Sequence, residues 1–325
     1  MITTSFTKLV GAGAPIQLAA MPGVCTPELV AAVADAGGLG MIGAPLMPAP
    51  ALEATLERLA ATTNGVFGVN FLIPFLDPAC IPVAARRARV VEFFYGDPDA
   101  DLVARAREFG ALVSWQVGSV TEAFAAERAG CDFVVAQGTE AGGHVRGRTS
   151  LLPLLSAVLE DVRVPVVAAG GIATAHDLAA VLGAGAGGAR IGTRFVATTE
   201  SGAHPTYVDA LVHAQAGDTV LTEAFSVLWP DAPHRVLRTA VAAAERLTTD
   251  VVGETRYAGQ TLAVERFSVM VPTTGTTGHI EAMALYAGES VGNVHAVRPA
   301  AEIVSELVSG AERLLAASYE ASSQR

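Results

Sequence analysis

The sequence is short of charge, aromatic residues and cysteine, and each shortage argues against a class of protein. Charged residues make up 16% and aromatic residues 6% of the 325 residues. The formal net charge is −11, and no cluster of lysine and arginine is present, which argues against binding to nucleic-acid phosphates. The three cysteines, Cys25, Cys80 and Cys131, form no CxxC pair, so we expect neither a disulfide framework nor a zinc site.

Several targeting and catalytic signatures are also absent. No basic segment followed by an apolar stretch begins the chain, so we expect no signal peptide and a cytoplasmic protein. The apolar window 29–47 is interrupted by Asp35, Gly37, Gly38 and Gly40, so we expect no membrane span. HxH and HExxH pairs are absent, which predicts no metal site. The string Gly288-Glu-Ser-Val-Gly292 matches GxSxG, but it follows no predicted strand, so the elbow of a serine hydrolase of the α/β type is absent.

The most regular feature that is present is an alternation of short apolar strands with helical patterns. Hydrophobic residues make up 51% of the chain, and the mean hydropathy is +0.43. Strands are predicted at 16–19, 39–42, 67–70, 90–94, 112–116, 133–135, 165–169 and 189–191. Eight βα repeats in about 200 residues predict an α/β fold of the (β/α)8 TIM barrel type. A doubly wound sheet is the alternative, but the first turn lacks the GxGxxG that such a sheet usually carries.

The pattern changes in the last third of the chain. Residues 233–248 and 279–287 have helical patterns, whereas residues 249–278 are rich in Gly and Thr and only weakly periodic. An amphipathic helix follows at 300–319 and is typical of the outer ring of a barrel.

These changes predict two units. We expect residues 1–222 and 288–325 to form the barrel, and residues 223–287 to form a smaller inserted cap domain over its mouth. Because the cap would cover the strand ends, its fold would decide the shape of any pocket there.

One glycine-rich turn carries a single titratable side chain. The run Ala136-Gln-Gly-Thr-Glu-Ala-Gly-Gly-His144 follows the apolar strand at 133–135. Glycine lets a backbone approach a flat ligand closely, and histidine exchanges protons near neutral pH. Active sites of TIM barrels form at the carboxyl ends of the strands. We therefore predict that His144 is catalytic, against the plainer alternative of a solvated structural histidine.

Small residues follow the last two predicted strands. Gly170 and Gly171 follow the seventh strand, and Gly192 and Thr193 follow the eighth. Backbone N–H groups bind phosphate best where no side chain intervenes, and TIM barrels often bind phosphate in these two loops. The four residues therefore predict a phosphate site, although the glycines of either loop alone would also suit a tight turn.

Three amide side chains stand at other strand ends. They belong to Asn70, Gln116 and Gln137. An amide both donates and accepts hydrogen bonds, which suits the alternating donors and acceptors along the edge of a flavin ring. The alternative is that these amides only cap strands at a wet barrel rim.

At these residues the chain resembles the nitronate monooxygenase family, formerly called 2-nitropropane dioxygenase. The family's hallmark blocks are matched by Ala136-Gln-Gly-Thr-Glu-Ala-Gly-Gly-His144, Ala168-Ala-Gly-Gly-Ile172 and Ile191-Gly-Thr-Arg-Phe195. Its other blocks resemble residues 15–21, 34–40, 67–70 and 286–292. The late block usually carries Gln where this chain has Glu289.

The resemblance implies a TIM barrel that binds FMN without a covalent bond, with His144 facing the substrate above the flavin. Together with the phosphate loops, the expected FMN contacts are Met21, Asn70, Gln116, Gln137, Gly142, Gly170, Gly171, Gly192, Thr193, Glu289 and Ser290. The same fold group contains flavin-type enoyl-acyl-carrier-protein reductases and NADH:quinone reductases. Position 137 is typically Glu in the enoyl reductases, so Gln137 favours the nitronate branch.

Three functions follow as hypotheses. The first is oxidation of alkyl nitronates, or of nitroalkanes, by O₂ to carbonyl compounds and nitrite. The second keeps the flavin but uses NAD(P)H to reduce quinones or enoyl thioesters. The third is a phosphate-binding barrel without flavin. The expected partners are therefore a small-molecule substrate with O₂ or NAD(P)H, and the sequence leaves open whether the chain forms a homodimer.

Overall fold

The fold is a closed barrel of parallel strands, seen in a computed structural model that describes residues 2–257 and 260–323. Its strands are β1 Ile16–Leu18, β2 Gly40–Gly43, β3 Phe67–Leu72, β4 Val90–Phe94, β5 Leu112–Val117, β6 Phe133–Gln137, β7 Gly143–His144, β8 Val166–Ala169, β9 Gly188–Ile191, β10 Thr219–Thr222, β11 His234–Leu237, β12 Val251–Tyr257, β13 Gln260–Glu265 and β14 Thr277–Gly278. Eight of them pair in parallel in the order β1-β9-β8-β6-β5-β4-β3-β2, and a parallel bridge between Gln17 and Leu39 joins the ends of the sheet. The predicted TIM barrel is confirmed.

Helices surround this barrel. They are α1 Ser5–Val10, α2 Pro27–Asp35, α3 Ala49–Thr62, α4 Cys80–Arg87, α5 Ala100–Arg107, α6 Val120–Arg128, α7 Leu151–Asp161, α8 Ala175–Gly183, α9 Thr193–Val196, α10 Pro205–Val212, α11 Arg238–Arg246 and α12 Ala300–Ser323. α2 begins at Pro27 because the Thr26 side chain accepts a hydrogen bond from the Leu29 N–H. α12 packs against α8 and α2 in the outer ring, as predicted. Within the described ranges, no helix has both the length and the apolar character needed to cross a membrane.

The inside of the barrel changes character along the strands. Leu39, Val90 and Phe133, at or next to the beginnings of their strands, belong to an apolar layer that is fully buried. A layer of buried polar side chains lies further along the strands; its members are Gln17, Asn70, Glu92, Ser114 and Arg190. The apolar end therefore fills the barrel, and the polar layer faces the carboxyl ends where a TIM barrel carries its site.

Two small antiparallel sheets lie outside the barrel. One has the order β10-β11-β7, and the other has the order β13-β12-β14. β7 is the two-residue strand that contains His144, so this first sheet connects the glycine-rich turn to the late part of the chain. The loosely periodic stretch 249–278 thus contains the antiparallel strands β12 and β13, and residues 258 and 259 lie outside the described residues.

Two predicted helices of this region are wrong in part. At 233–248, the first residues form β11, and the helix α11 begins only at Arg238. At 279–287, one short 3₁₀ turn, Ile280–Ala282, is followed by extended chain. The Leu237 N–H donates to the Leu285 carbonyl at 3.0 Å, so this chain runs beside β11. Met283 through Leu285 are all buried, and a short run buried on every side does not distinguish helix from strand.

The expected division of the chain at residues 222 and 288 stays a prediction. β10 lies before residue 223, yet it pairs along its whole length with β11 inside the expected cap. Leu211 and Phe225, from opposite sides of that boundary, also belong to one buried cluster. Packing is therefore continuous across residue 223.

Candidate active site

A cavity of about 360 Å³ lies at the carboxyl ends of the barrel strands. Every predicted site residue except Glu289 lines it, namely Met21, Asn70, Gln116, Gln137, Gly142, His144, Gly170, Gly171, Gly192, Thr193 and Ser290. Residues of the expected cap contribute the opposite wall, including Leu228, Trp229 and Met270. The barrel brings together side chains and glycines that lie up to about 270 residues apart in the sequence.

The turn that presents His144 is held on both sides. Gln137 Nε2 donates to the His144 carbonyl at 3.0 Å, and β7 pairs His144 with His234. The Glu140 carboxylate accepts a hydrogen bond from the Leu151 N–H at 2.9 Å and so caps the start of α7. These contacts fix the position of the imidazole although glycine surrounds it.

The imidazole of His144 lies in an aromatic cluster that the sequence analysis did not identify. Its ring stacks on Trp229 with centroids 4.0 Å apart and an interplanar angle of 23°. Tyr95 and Tyr286 lie 6.0 and 5.5 Å from it. Nε2 of His144 is buried and has no hydrogen-bond partner among residues 2–257 and 260–323. Because His144 lines the cavity, this unpartnered nitrogen is a candidate to bond a ligand.

Burial makes this histidine neutral. Desolvation, and then the nearby His234, lower the pKa of His144 to about 3. Burial also lowers the pKa of His234, which accepts from the Phe225 N–H at Nε2. Nδ1 of His234 lies 2.9 Å from the Ala232 carbonyl, so it carries the proton and donates. At neutral pH the site therefore holds two uncharged imidazoles, of which only that of His144 has an unpartnered buried nitrogen.

These lowered pKa values predict how stability responds to acid. Between pH 6.5 and about 3, the unfolded chain protonates His144 while the folded chain does not. The free energy of unfolding should therefore fall as the pH falls through this window. We expect urea unfolding at pH 7.5 and 5.5 to show a smaller acid loss for His144→Gln than for wild type. His213→Gln, at an exposed histidine, is the control variant. If His144→Gln lost as much unfolding free energy in acid as wild type does, the lowered pKa of His144 would be contradicted.

The turn after β8 requires glycine. Gly170 has φ +112° and Gly171 has φ +71°, conformations that other residues rarely adopt. A Cβ on Gly170 would lie 3.1 Å from the Ala141 N. The result is a backbone surface without side chains on the cavity wall, as a phosphate site needs.

The late block lies against the glycine-rich turn. The Thr193 hydroxyl accepts from the Gly288 N–H at 3.0 Å, and the Glu289 N–H donates to the Glu140 carbonyl at 2.9 Å. The Glu289 side chain, however, is half-exposed and pairs with Arg235 at 3.1 Å. Glu289 does not line the cavity, whereas Ser290 does, and the expected flavin contact of Glu289 stays a prediction.

The close approach of the late block to Gly142 gives a direct test. A Cβ on Gly142 would lie 2.5 Å from the Gly288 N, so Gly142→Ala must displace one backbone segment. We expect it to lower the free energy of unfolding by about 1–3 kcal/mol, measured by urea denaturation. Gly217→Ala is the control, because a Cβ there meets nothing within 4 Å. Equal stabilities of the two variants would contradict this packing.

A buried charge pair that sequence reasoning missed lies at the cavity, which Arg190 lines. Arg190 on β9 bonds Glu92 on β4, and their side chains are 6% and 0% exposed. Glu92 also accepts from Gln17, Asn70 and Ser114. A sequence signal for this pair was available, because β4 and β9 each contain one charged residue, Glu92 and Arg190, among otherwise apolar residues.

Known proteins match the chain along most of its length. The sequence profile of the nitronate monooxygenase family matches residues 3–81 and 79–310. One relative is (3aS,4S,5R,7aS)-5-hydroxy-7a-methyl-1-oxo-octahydro-1H-indene-4-carboxyl-CoA dehydrogenase of Rhodococcus jostii RHA1, 36% identical over 239 residues. That alignment covers 73% of this chain and 66% of the relative, just under two thirds.

Two solved structures are similar over 98% of this chain and 99% of their own. They are FabK from Thermotoga maritima, with 30% identity and a TM-score of 0.80, and nitroalkane oxidase from Streptomyces ansochromogenes, with 31% identity and a TM-score of 0.76. Both structures are therefore similar to this chain in the barrel and also in the residues that cover its mouth. Since the profile spans the strands, the glycine-rich turns and the late block alike, the chain belongs to the nitronate monooxygenase family, whose members are flavin-dependent oxidoreductases.

Proposed function

We propose that the protein is an FMN-dependent nitronate monooxygenase, which oxidises alkyl nitronates with O₂ to carbonyl compounds and nitrite. The observation that carries this proposal is His144, which is neutral and lines the cavity, and whose buried Nε2 lacks a partner within the described chain. The family profile and the similarity to a nitroalkane oxidase support the same reaction class.

The residues of the cavity fit FMN. The backbone at Gly170, Gly171 and Gly192, together with Thr193, would hold its phosphate. Gln137 Oε1 is buried and has no partner in the part of the chain that is described, so it offers an unused acceptor to the N–H of a flavin ring. The bound flavin would supply the electron transfer to and from substrate and O₂.

His144 would bind the nitro group of the substrate. With its proton on Nε2, the neutral imidazole donates a hydrogen bond to a nitronate oxygen, which carries negative charge. A group whose pKa is lowered to about 3 is a weak base. Since a nitronate has already lost its carbon-bound proton, this environment favours nitronates over neutral nitroalkanes. Trp229 and the apolar cap residues exclude water from the bound anion and strengthen the hydrogen bond.

Two measurements test the proposal. The purified protein should absorb near 450 nm, and it should release nitrite and consume O₂ with propionate 3-nitronate. Nitrite formation from 2-nitropropane at neutral pH should be much slower, because the described residues at the cavity wall include no carboxylate and His144 is a weak base. A colourless protein would contradict the flavin, and a yellow protein that forms no nitrite would contradict the reaction.

A second function is a flavin-dependent reductase that takes electrons from NAD(P)H. It is favoured by the similarity to FabK and by the apolar outer wall of the cavity, which includes Leu228, Leu262, Val269 and Met270. Rapid anaerobic bleaching of the flavin by NADH or NADPH, without nitrite formation in the first assay, would favour this function.

We also propose that the enzyme acts in the cytoplasm. Cys25, Cys80 and Cys131 are all free and buried, and burial raises the pKa of the Cys25 thiol to about 12. Free thiols of this kind are typical of a reducing compartment. Fractionation of cells that produce the protein would test this location.

A further inference from the structure

The buried pair of Arg190 and Glu92 has no part in the function proposed above. Glu92 accepts hydrogen bonds from Gln17 at 2.9 Å, Asn70 at 2.8 Å and Ser114 at 3.3 Å, in addition to Arg190. These contacts come from strands on several sides of the barrel and hold the carboxylate at its centre. Burying two charges is costly, so a pair in this position calls for a reason beyond packing.

Arg190 has donors left over. Only its Nη1 has a hydrogen bond within residues 2–257 and 260–323, and that bond goes to Glu92. The residue lines the cavity, two positions before Gly192 of the expected phosphate loop. None of its nitrogens is among the buried atoms without a partner, so Nε and Nη2 keep some accessible surface in a residue that lines the cavity. They are placed to donate to an acceptor of the bound ligand.

We propose that Arg190 donates to the acceptor edge of the flavin's pyrimidine ring, formed by N1 and O2, and that Glu92 is the positioning residue for Arg190. This proposal rests on the proposed binding of FMN. Two electrons and one proton convert oxidised flavin to an anionic reduced form, whose new charge lies over N1 and O2. A guanidinium at that edge stabilises the reduced form more than the oxidised form, and burial keeps this interaction from being screened.

The two charges should act with opposite signs. Removing the positive charge of Arg190 leaves Glu92 beside the ring, which disfavours the reduced flavin. Removing the negative charge of Glu92 leaves Arg190 uncompensated, which favours the reduced flavin. A pair that only fills the barrel would destabilise the protein in both variants and would not separate the two oxidation states.

The test is the reduction potential of FMN bound to wild type, Arg190→Gln and Glu92→Gln, measured by equilibration with a reference dye. We expect Arg190→Gln to lower the ratio of reduced to oxidised flavin at least tenfold, about 30 mV for a two-electron couple. Glu92→Gln should shift the potential upward, and Arg190→Lys, which keeps the charge, should stay near wild type. If one of the Gln variants does not fold, the direction of the other still decides.

Shifts of the same sign in both Gln variants, or no shift in the variant that folds, would overturn the inference. Its failure is distinguishable from failure of the proposed function. A wild-type protein without flavin absorbance contradicts FMN binding itself. A wild-type protein that carries FMN and forms nitrite, but whose variants show no opposite shifts, contradicts only the role of Arg190 and Glu92.

Discussion

Replacement of His144 by alanine is expected to lower kcat/KM for propionate 3-nitronate by about 100- to 1,000-fold, the usual loss when one hydrogen-bond donor to a developing or bound anion is removed. The donor lies in a buried aromatic cluster, and no other side chain contributes a buried unpartnered nitrogen within the described chain. Steady-state assays of nitrite release in air at pH 7.5 measure this loss.

Two controls separate chemistry from structure in that experiment. The absorbance of bound flavin should be retained in His144→Ala, because the expected phosphate loops lie on other strands. His213→Ala should keep wild-type kcat/KM, since His213 is mostly exposed and pairs with the exposed Asp209. Wild-type activity in His144→Ala would show that His144 does not bind the nitro group.

The fold was predictable because barrel strands have a strong local signal. All eight barrel strands are short and mostly apolar, and they recur with helices between them. Their carboxyl ends then place Gln137, Gly171 and Thr193 around one cavity by topology alone. Positions that depend on the barrel's connectivity could therefore be predicted without any knowledge of side-chain contacts.

Contacts that depend on tertiary pairing were not predictable. Trp229 reaches His144 only because β11 pairs with β7, and both strands are too short to be recognised by periodicity. Arg190 and Glu92 lie 98 residues apart and meet across the barrel interior. Glu289 occupies a position where the family usually has Gln, and its carboxylate pairs with Arg235. Each outcome depends on a partner that no local pattern identifies.

Replacement of Trp229 by alanine is expected to lower kcat/KM about a hundredfold, because a catalytic group displaced by about 1 Å can lose that much. The Trp229 ring covers the face of His144 at 4.0 Å, and Phe75 and Tyr95 hold it from its other sides at 5.0 and 4.6 Å. Trp229 is only 7% exposed, so the variant should also lose about 3–5 kcal/mol of unfolding free energy.

We attribute the predicted loss of kcat/KM to removal of the flat Trp229 ring on which His144 stacks, and a conservative variant can show this. Trp229→Phe keeps a flat ring and should retain kcat/KM within about tenfold of wild type, the range that an aromatic pair is worth. Leu228→Ala is the matched control, because Leu228 is the exposed neighbour at the cavity mouth. If Leu228→Ala lost as much activity as Trp229→Ala, closure of the mouth rather than the orientation of His144 would explain the effect. A Trp229→Ala protein with wild-type kcat/KM would mean that β7, Gln137 and the glycine-rich turn suffice to hold His144 in place.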